Sequence, residues 1–476
     1  MNKDFCTAGN WNPAFVPGPT SRVTIVATDI TLASPVTVEN LALGDDVATA
    51  SMTVNAALGI KDSLDVRGNA TLTANKPIAV TNLFAVREGA TVKHTSGSAT
   101  QANKIDVYAG GAFLLERGGS VTASECGYSS NRNSTNAPHG GTQTDGGSFG
   151  SVVEPVDYGK AGTDGSSGGA IKIATAGDLT VNGTITANAH SYSADNGEGT
   201  YCKAGAGGSI WLLGANLKGG GSLEARAGDC AHRNGSGGRI AIHLSRAADL
   251  SDWQGTVKAY GAKSTVDAAG PAGTVYWQLA GQTPRTATLV VDNGGPENGK
   301  SAATGFTELY PATGVAEIGT VIVTNWARVK IPADAECRVY GDWLGATGNM
   351  SESGTLVLSP SSGQAQVSGE LDLHGLVCTN GAEEIVFAAG SWATVHDEGT
   401  LWMEGTDAKK LVLRSSETGS SWHLLAGLNL TGRMRNLDVS DSDASEGAQI
   451  ATKRSVGSHA RNPNWLFPGG LAVIVK

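Results

Sequence analysis

Gly183-Thr-Ile-Thr-Ala187, followed after a polar stretch by Gly207-Gly-Ser-Ile-Trp-Leu212, is one copy of a phrase that occurs four times in this 476-residue chain. The other copies open Gly119-Ser-Val-Thr-Ala, Gly221-Ser-Leu-Glu-Ala and Gly255-Thr-Val-Lys-Ala. They close Gly168-Gly-Ala-Ile-Lys-Ile, Gly237-Gly-Arg-Ile-Ala-Ile and Ala272-Gly-Thr-Val-Tyr-Trp. The strand-like ends keep their form while the segment between them shrinks from long to short. Self-similarity of this kind marks a solenoid, in which each copy is one coil of a stack. It also places function in the variable loops rather than in the repeating strands.

A second, shorter repeat lies upstream. Leu64-Asp-Val-Arg-Gly, Phe84-Ala-Val-Arg-Glu-Gly and Ile105-Asp-Val-Tyr-Ala-Gly share an apolar-x-Val start and a glycine turn. Val66, Val86 and Val107 are 20 and 21 residues apart, by subtraction of their numbers. A coil of that length holds about three strands of 3–5 residues with their turns. Within strands, apolar residues alternate with polar ones, as in Val23-Thr-Ile and Val36-Thr-Val. The habit continues past Thr286 in Val321-Ile-Val, Leu356-Val-Leu, Leu371-Asp-Leu, Leu411-Val-Leu and Leu437-Asp-Val. The leucine-rich pattern of similar period is missing, and no helical periodicity supports a helical repeat. A β-sandwich also has short strands and regular turns, but it does not predict one phrase returning coil after coil. The best boundary candidate, Asp292-Asn-Gly-Gly-Pro-Glu-Asn-Gly, reads as a loop, so the expectation is one stack over 1–476.

Composition bounds the rest. By length alone roughly three ordinary domains are expected, but a solenoid escapes that rule because its core lengthens coil by coil. Charged residues make up 16% of the chain and glycine numbers 66, a profile of short strands and tight turns. A net charge of −10 with no basic tract disfavours nucleic acid as a partner. No apolar run is long enough for a transmembrane helix. The opening Met1-Asn-Lys-Asp-Phe-Cys lacks the apolar core of a signal peptide, and is read as a mature or trimmed form of an exported chain. The six cysteines form no C-x-x-C pair; Cys202 and Cys230 lie in comparable loops of adjacent coils, where a disulfide is conceivable.

The two ends carry a resemblance. Gly9-Asn-Trp-Asn-Pro-Ala-Phe-Val-Pro-Gly-Pro-Thr-Ser-Arg-Val-Thr-Ile resembles the opening of many bacterial surface β-helices, with Trp11 over the first coil. The closing phrases Leu401-Trp-Met-Glu-Gly-Thr, Leu411-Val-Leu-Arg-Ser-Ser and Asn462-Pro-Asn-Trp-Leu-Phe resemble the last coils of similar proteins. The Gly-Gly-x-Ile strands are similar to the GGA[ILV] phrase of polymorphic outer-membrane proteins and autotransporter passengers, although the partner phrase F-x-x-N is not regularly present. The resemblance implies an all-β fold, a single right-handed parallel β-helix, exported and secreted or held at a bacterial cell surface. Its parts are an N-terminal cap at 1–22, loop-rich central coils at 125–236 and C-terminal coils at 286–476. The resemblance carries no catalytic residue to any position.

Candidate site residues therefore come from the loops, at about 125–167, 189–206 and 227–236. If the coils stack, these loops leave one edge about 5 Å apart per coil and build one lobe. Tyr158, Tyr192 and Tyr201 offer flat faces to sugar rings, and Asp229 and His232 hydrogen-bond hydroxyls, which reads as binding of a polysaccharide or a host or cell-surface glycan. A polysaccharide lyase needs a base near a sugar C5 proton and a cation beside the uronate; Lys160 or Lys203 with Arg233 or Arg239 has that chemistry. A glycoside hydrolase needs two carboxylates, for which Asp157 and Asp195 are candidates. Wet loops are polar in any exported β-helix, so these residue types alone decide nothing. No metal is expected: Cys126, His190, Cys202, Cys230 and His232 match no metal spacing. Calcium could be held at Asp45-Asp46 or at Asp441 and Asp443, though turns use aspartate for their own backbone bonds. The C-terminal tryptophans (326, 343, 392, 402, 422, 465) are read as core or cap rather than as a sugar platform. No cofactor motif occurs in its required context. Three functions follow in order: adhesion or glycan binding through the loop lobe, a secreted lyase or hydrolase, and a self-associating fibre subunit.

Overall fold

The computed structural model describes the chain outside residues 1–2, 46, 98–99, 130–138, 140–147, 163–164, 192–203, 230–234, 264–268, 296–304, 310–314, 346–352, 380–382, 459 and 469–476. Among the described residues the fold is all-β with parallel sheets, and the one helical element is a single 3-10 turn at Ala8–Asn10. The chain forms two compact units, Met1–Gly281 with Pro296–Gly305, and Gln282–Gly295 with Phe306–Lys476. Each unit is a run of coils. The phrase at 292–299, the boundary candidate of the sequence, falls where the units divide.

Among the described residues of the first unit, seven coils contribute one strand to each of three parallel sheets, and an eighth contributes to the second and third only. The first sheet has seven strands, from Arg22–Ile25 to Leu217–Lys218, and the second has eight, from Asp29–Leu32 to Thr256–Lys258. The third runs from Val36–Val38 through Ala170–Thr175, Ser209–Gly214 and Arg239–Leu244 to Thr274–Gln278. The strand alternation read from sequence is the reason. Arg22–Ile25 and its relatives bury every second side chain, and the inward ones stack in columns from coil to coil. One column is Val23, Leu41, Leu64, Phe84, Phe113, Leu179 and Leu217, all buried and in register. Each such side chain contributes about 1.5–3 kcal/mol relative to exposure.

Polar side chains form ladders of the same register, one of them around the buried Asn75. Asn75 donates to Asn55 Oδ1 at 2.8 Å and to Thr95 Oγ1 at 3.0 Å, tying three coils. Arg87 bridges Asp65 at 2.9 Å and Glu116 at 2.8 Å across another three. At the N-terminal end Phe5 is the fully buried ring. Trp11, expected to cover the first coil, packs edge-on against Phe5 at 4.8 Å and donates its indole N–H to the Phe5 carbonyl at 2.8 Å.

The second unit repeats the principle with longer strands. One parallel ladder runs from Thr288–Asp292 through Thr320–Thr324, Gln364–Ser368 and Leu411–Ser415 to Val456–Gly457. Another runs from Val315–Ile318 through Glu370–Cys378 and Trp392–Glu404 to Ser442–Asp443. Trp343, Trp422 and Trp465 are buried, Trp422 stacked on Phe387 at 3.9 Å, so these three are core as expected. Trp326 and Trp402 are exposed and do not join them. No helix among the described residues is long and apolar enough to cross a membrane.

Candidate binding lobe at the corner of the central coils

The loops all leave one corner, between the second and third sheets. The chain departs after Ala123, Ala187, Ala225 and Ala259 and re-enters at Gly169, Gly208, Gly238 and Gly273. Each re-entering glycine donates its N–H to the carbonyl of the departing alanine in the same coil, at 2.8, 2.7, 2.7 and 2.6 Å. The two backbones therefore touch at the neck of every loop. A Cβ on Gly168, Gly207 or Gly237 would overlap the carbonyl oxygen of Ala187, Ala225 or Ala259, and one on Gly208, Gly238 or Gly273 would overlap the glycine carbonyl one coil away. Close approach of main chain to main chain, not turn geometry, explains the repeated Gly-Gly.

Beyond the necks the loop bases bond to one another. Gly127 N–H donates to Ser167 O at 2.9 Å, Gly168 to Ala206 O at 3.0 Å, Gly207 to Ser236 O at 3.0 Å and Gly237 to Pro271 O at 3.0 Å. His190 N–H donates to Ser166 O at 3.0 Å, and Gly228 N–H to Gly205 O at 3.1 Å. The first of these closes the base of the longest loop, the others link each loop to the next, and the described parts form one lobe.

Two residues expected on its surface lie inside it. Tyr158 is buried: it stacks on His94 with ring centres 5.6 Å apart, meets Tyr128 edge-on at 5.3 Å, and its hydroxyl donates to the Asn103 carbonyl. Burial pushes its phenol up to about 12. Arg239 is fully buried at the start of its strand. Its guanidinium donates to Phe149 O at 3.0 Å, His139 O at 3.3 Å, Thr274 Oγ1 at 3.3 Å and Ser148 Oγ at 3.5 Å. A cation so enclosed clamps the long loop onto the coil and cannot face a uronate in solvent.

His139 belongs to the same clamp. It is fully buried; its Nδ1 lies 2.7 Å from Gly207 O, while its backbone N–H donates to Ser236 Oγ at 2.9 Å. Burial, with the Arg239 charge beside it, pushes its imidazole down to about 3, so the neutral form is held. Among the described residues Nε2 has no hydrogen-bond partner. Asp157 is half-buried near Nε2: a Cβ on Gly150 would stand 3.1 Å from the Asp157 carboxylate and 3.2 Å from Nε2. The main chain of Asp157 is fixed by the Ser209 hydroxyl, which donates to its carbonyl at 2.5 Å.

Of the remaining candidates, Lys160 is exposed and its carbonyl accepts from Ala206 N–H at 2.9 Å. Asp229 is half-buried and accepts the Lys263 N–H at 2.7 Å. Lys203, Arg233, Asp195, Tyr192, Tyr201, His232 and the Cys202–Cys230 pair lie outside the described residues. No group of three or more metal-ligating side chains occurs among the described residues. His190 pairs with Glu125 at 2.9 Å. At the calcium candidates, Asp45 accepts from the N–H groups of Val47 and Ala48 at 2.9 and 2.6 Å, Asp441 is paired with Arg461, and Asp443 accepts from Ser445 N–H at 2.9 Å. These are turn and ion-pair roles, and Asp46 lies outside the described residues. Sequence reasoning missed His94, whose Nε2 receives Ala170 N–H at 3.3 Å where Gly169 leaves room for the ring. The signal was Gly169 itself.

Comparison of the chain with protein-family models, with curated proteins and with solved structures finds no match.

Proposed function

We propose that this chain is an exported bacterial surface protein, a single right-handed parallel β-helix, that acts in adhesion or glycan binding through the lobe of its central loops. The observation that carries the reading is how the lobe is built. Backbone bonds join the bases of neighbouring loops, and Arg239 and His139 lock the longest one down from inside. Such a body presents a pre-formed surface, which lowers the ordering cost of binding. Catalysis by elimination or hydrolysis needs a cationic or carboxylate cluster open to substrate. Arg239, the described cation in that scheme besides Lys160, is enclosed.

The test is a binding screen against immobilised acidic and neutral polysaccharides with the reaction followed in parallel. Retention on at least one glycan, with no unsaturated sugar and no new reducing ends, is the expected result. Release of unsaturated product from a uronan would replace the binding reading with a lyase. Absence of retention on every glycan would remove it.

A further inference from the structure

On the outward face of the third sheet Tyr108 is exposed. Two coils further on, the same face is closed to water. Trp211, Ala241 and Tyr276 share one outward column and are buried, as are Ser209, Arg239 and Thr274 in the column beside it. Side chains of this face hold segment 148–158 of the longest loop by its carbonyls. Arg239 donates to Phe149 O at 3.0 Å, His243 Nε2 to Val153 O at 2.8 Å and the Ser209 hydroxyl to Asp157 O at 2.5 Å. Val152 and Pro155 of this strap are buried in turn.

The closed strap leaves polar groups unsatisfied. Among the described residues, Trp211 Nε1 and His139 Nε2 are buried without a hydrogen-bond partner, and water would restore those bonds on opening. Two imidazoles are enclosed with them. His243 stands between Trp211 and Tyr276, with ring centres 6.1 and 5.5 Å away; the Glu154 carboxylate is near it on the strap, and Lys172 Nζ lies over the Trp211 ring at 4.1 Å. His139 has the Phe149 ring at 5.0 Å, with the Arg239 guanidinium and the Asp157 carboxylate close by. Burial holds both imidazoles below the ordinary histidine value, against the pull of Glu154 on His243; at His139 the Arg239 charge adds to it.

We infer that segment 148–158 is an acid-released strap, closed over the third sheet near neutral pH and freed when His243 and His139 take up protons, so that Trp211 and Tyr276 are uncovered. Closed, the strap keeps both imidazoles neutral. Open, they ionise below about pH 6.5, so each proton taken up draws the equilibrium toward the open form. His139 alone, with a closed value of about 3, raises the opening constant about thirtyfold between pH 7.5 and 5. His243 acts in the same direction. The Arg239 and Ser209 anchors do not titrate in that range. As regulation of the binding lobe, the strap rests on the proposed function for its consequence alone, since its opening requires no ligand.

Hydrogen exchange of the full chain, read by mass spectrometry and corrected for the intrinsic pH dependence of exchange, tests the strap between pH 5 and 7.5, where carboxylates stay ionised. Protection of peptides spanning 148–158 should fall about thirtyfold or more across that range, while strands 63–66 and 83–86 keep theirs. His243→Gln keeps an N–H for Val153 O but does not titrate, and His139→Gln removes the other proton site. Each should make the fall shallower, and the double variant should abolish it. If one variant fails to fold, the slope of the other decides. The inference is overturned if strap protection in the unmodified chain is the same at pH 5 and 7.5. It is overturned equally if the double variant keeps the full fall, since histidines that only pack would lower protection at every pH without changing the slope. Exchange is read without any ligand, so a glycan screen that finds no retention removes the binding reading and leaves the strap standing.

Discussion

Between the first and second sheets the central coils turn within residues 116–119, 182–183 and 219–221, coil after coil. Between the second and third sheets the same coils run from 123 to 169, 187 to 208, 225 to 238 and 259 to 273 before re-entering. Both corners are floored with glycines that meet their equivalents in the neighbouring coil, and the variable corner adds a second contact. At the uniform corner a glycine meets its own equivalent in the neighbouring coil, so the stack fixes the turn. At the variable corner the re-entering glycine is bonded to the departing alanine of its own coil. The neck is closed before the loop begins. A loop closed at its neck changes length at little cost to the stack, since closure entropy grows slowly with length. That explains how one repeat carries loops of very different size.

The strongest way to break this comparison is to force a side chain into a neck. In Gly238→Ala the added methyl would overlap the Gly208 carbonyl, which is backbone and cannot swing aside. A loss of more than about 4 kcal/mol, or failure to fold, is expected in chemical denaturation. Destabilisation below about 1 kcal/mol would mean that the necks are not close-packed.

A smaller effect is expected from opening the clamp while keeping the neck. Arg239→Met retains bulk but orphans the carbonyls of Phe149 and His139, at a cost of roughly 3 kcal/mol. If the neck insulates the stack, the cost falls on the loop. Limited proteolysis should then accelerate within 125–167, while the far-ultraviolet β-sheet signal stays that of the unmodified protein. Loss of the sheet signal would show that clamp and stack are one unit.

His139 gives a graded version of the same test. Its folded-state pKa, near 3, lies below the ordinary histidine value of about 6.5. The unfolded loop therefore takes up a proton below about pH 6.5 that the folded loop refuses. Clamp stability should be flat above that pH and fall by roughly 1 kcal/mol per unit on going down from about 6 toward 3. Carboxylates held low by their partners, such as Asp178 by Lys218 and Glu317 by Arg285, lose their contribution further down, as pH falls from the ordinary carboxylate range through their lowered folded values. Proteolysis of the unmodified chain and of His139→Gln between pH 4.5 and 7 separates the two effects. An equal pH slope in both proteins would remove His139 from the clamp.

The scaffold was legible because its cause is local. Alternation in Val23-Thr-Ile or Leu411-Val-Leu fixes which side chains point inward, and paired glycines before Ile210 and Ile240 mark where backbones meet. The lobe was legible only as a location. Arg239 reads as a surface cation by type, but its acceptors, Phe149 O and His139 O, lie 90 and 100 residues away in sequence. Tyr158 reads as a sugar platform, but its hydroxyl partner is 55 residues distant at Asn103. Which polar residues of a long loop fold inward is decided by such contacts, and no local period records them.

The smallest expected effect distinguishes glycine kept for the fold from glycine that leaves space. Gly219 has φ +106, and its Cβ would overlap the Val181 carbonyl, so Gly219→Ala should cost several kcal/mol. Gly220, the next residue, has neither constraint, and Gly220→Ala should change stability by no more than about 0.5 kcal/mol, with a slight gain from the stiffer unfolded chain. The two glycines are indistinguishable in sequence and differ only in what surrounds them. Thermal melts of the two variants, compared side by side, read that difference directly. If Gly220→Ala is as damaging as Gly219→Ala, the space above Gly220 is needed by the coil itself. If it is silent, the uniform corner carries a glycine that the stack does not require.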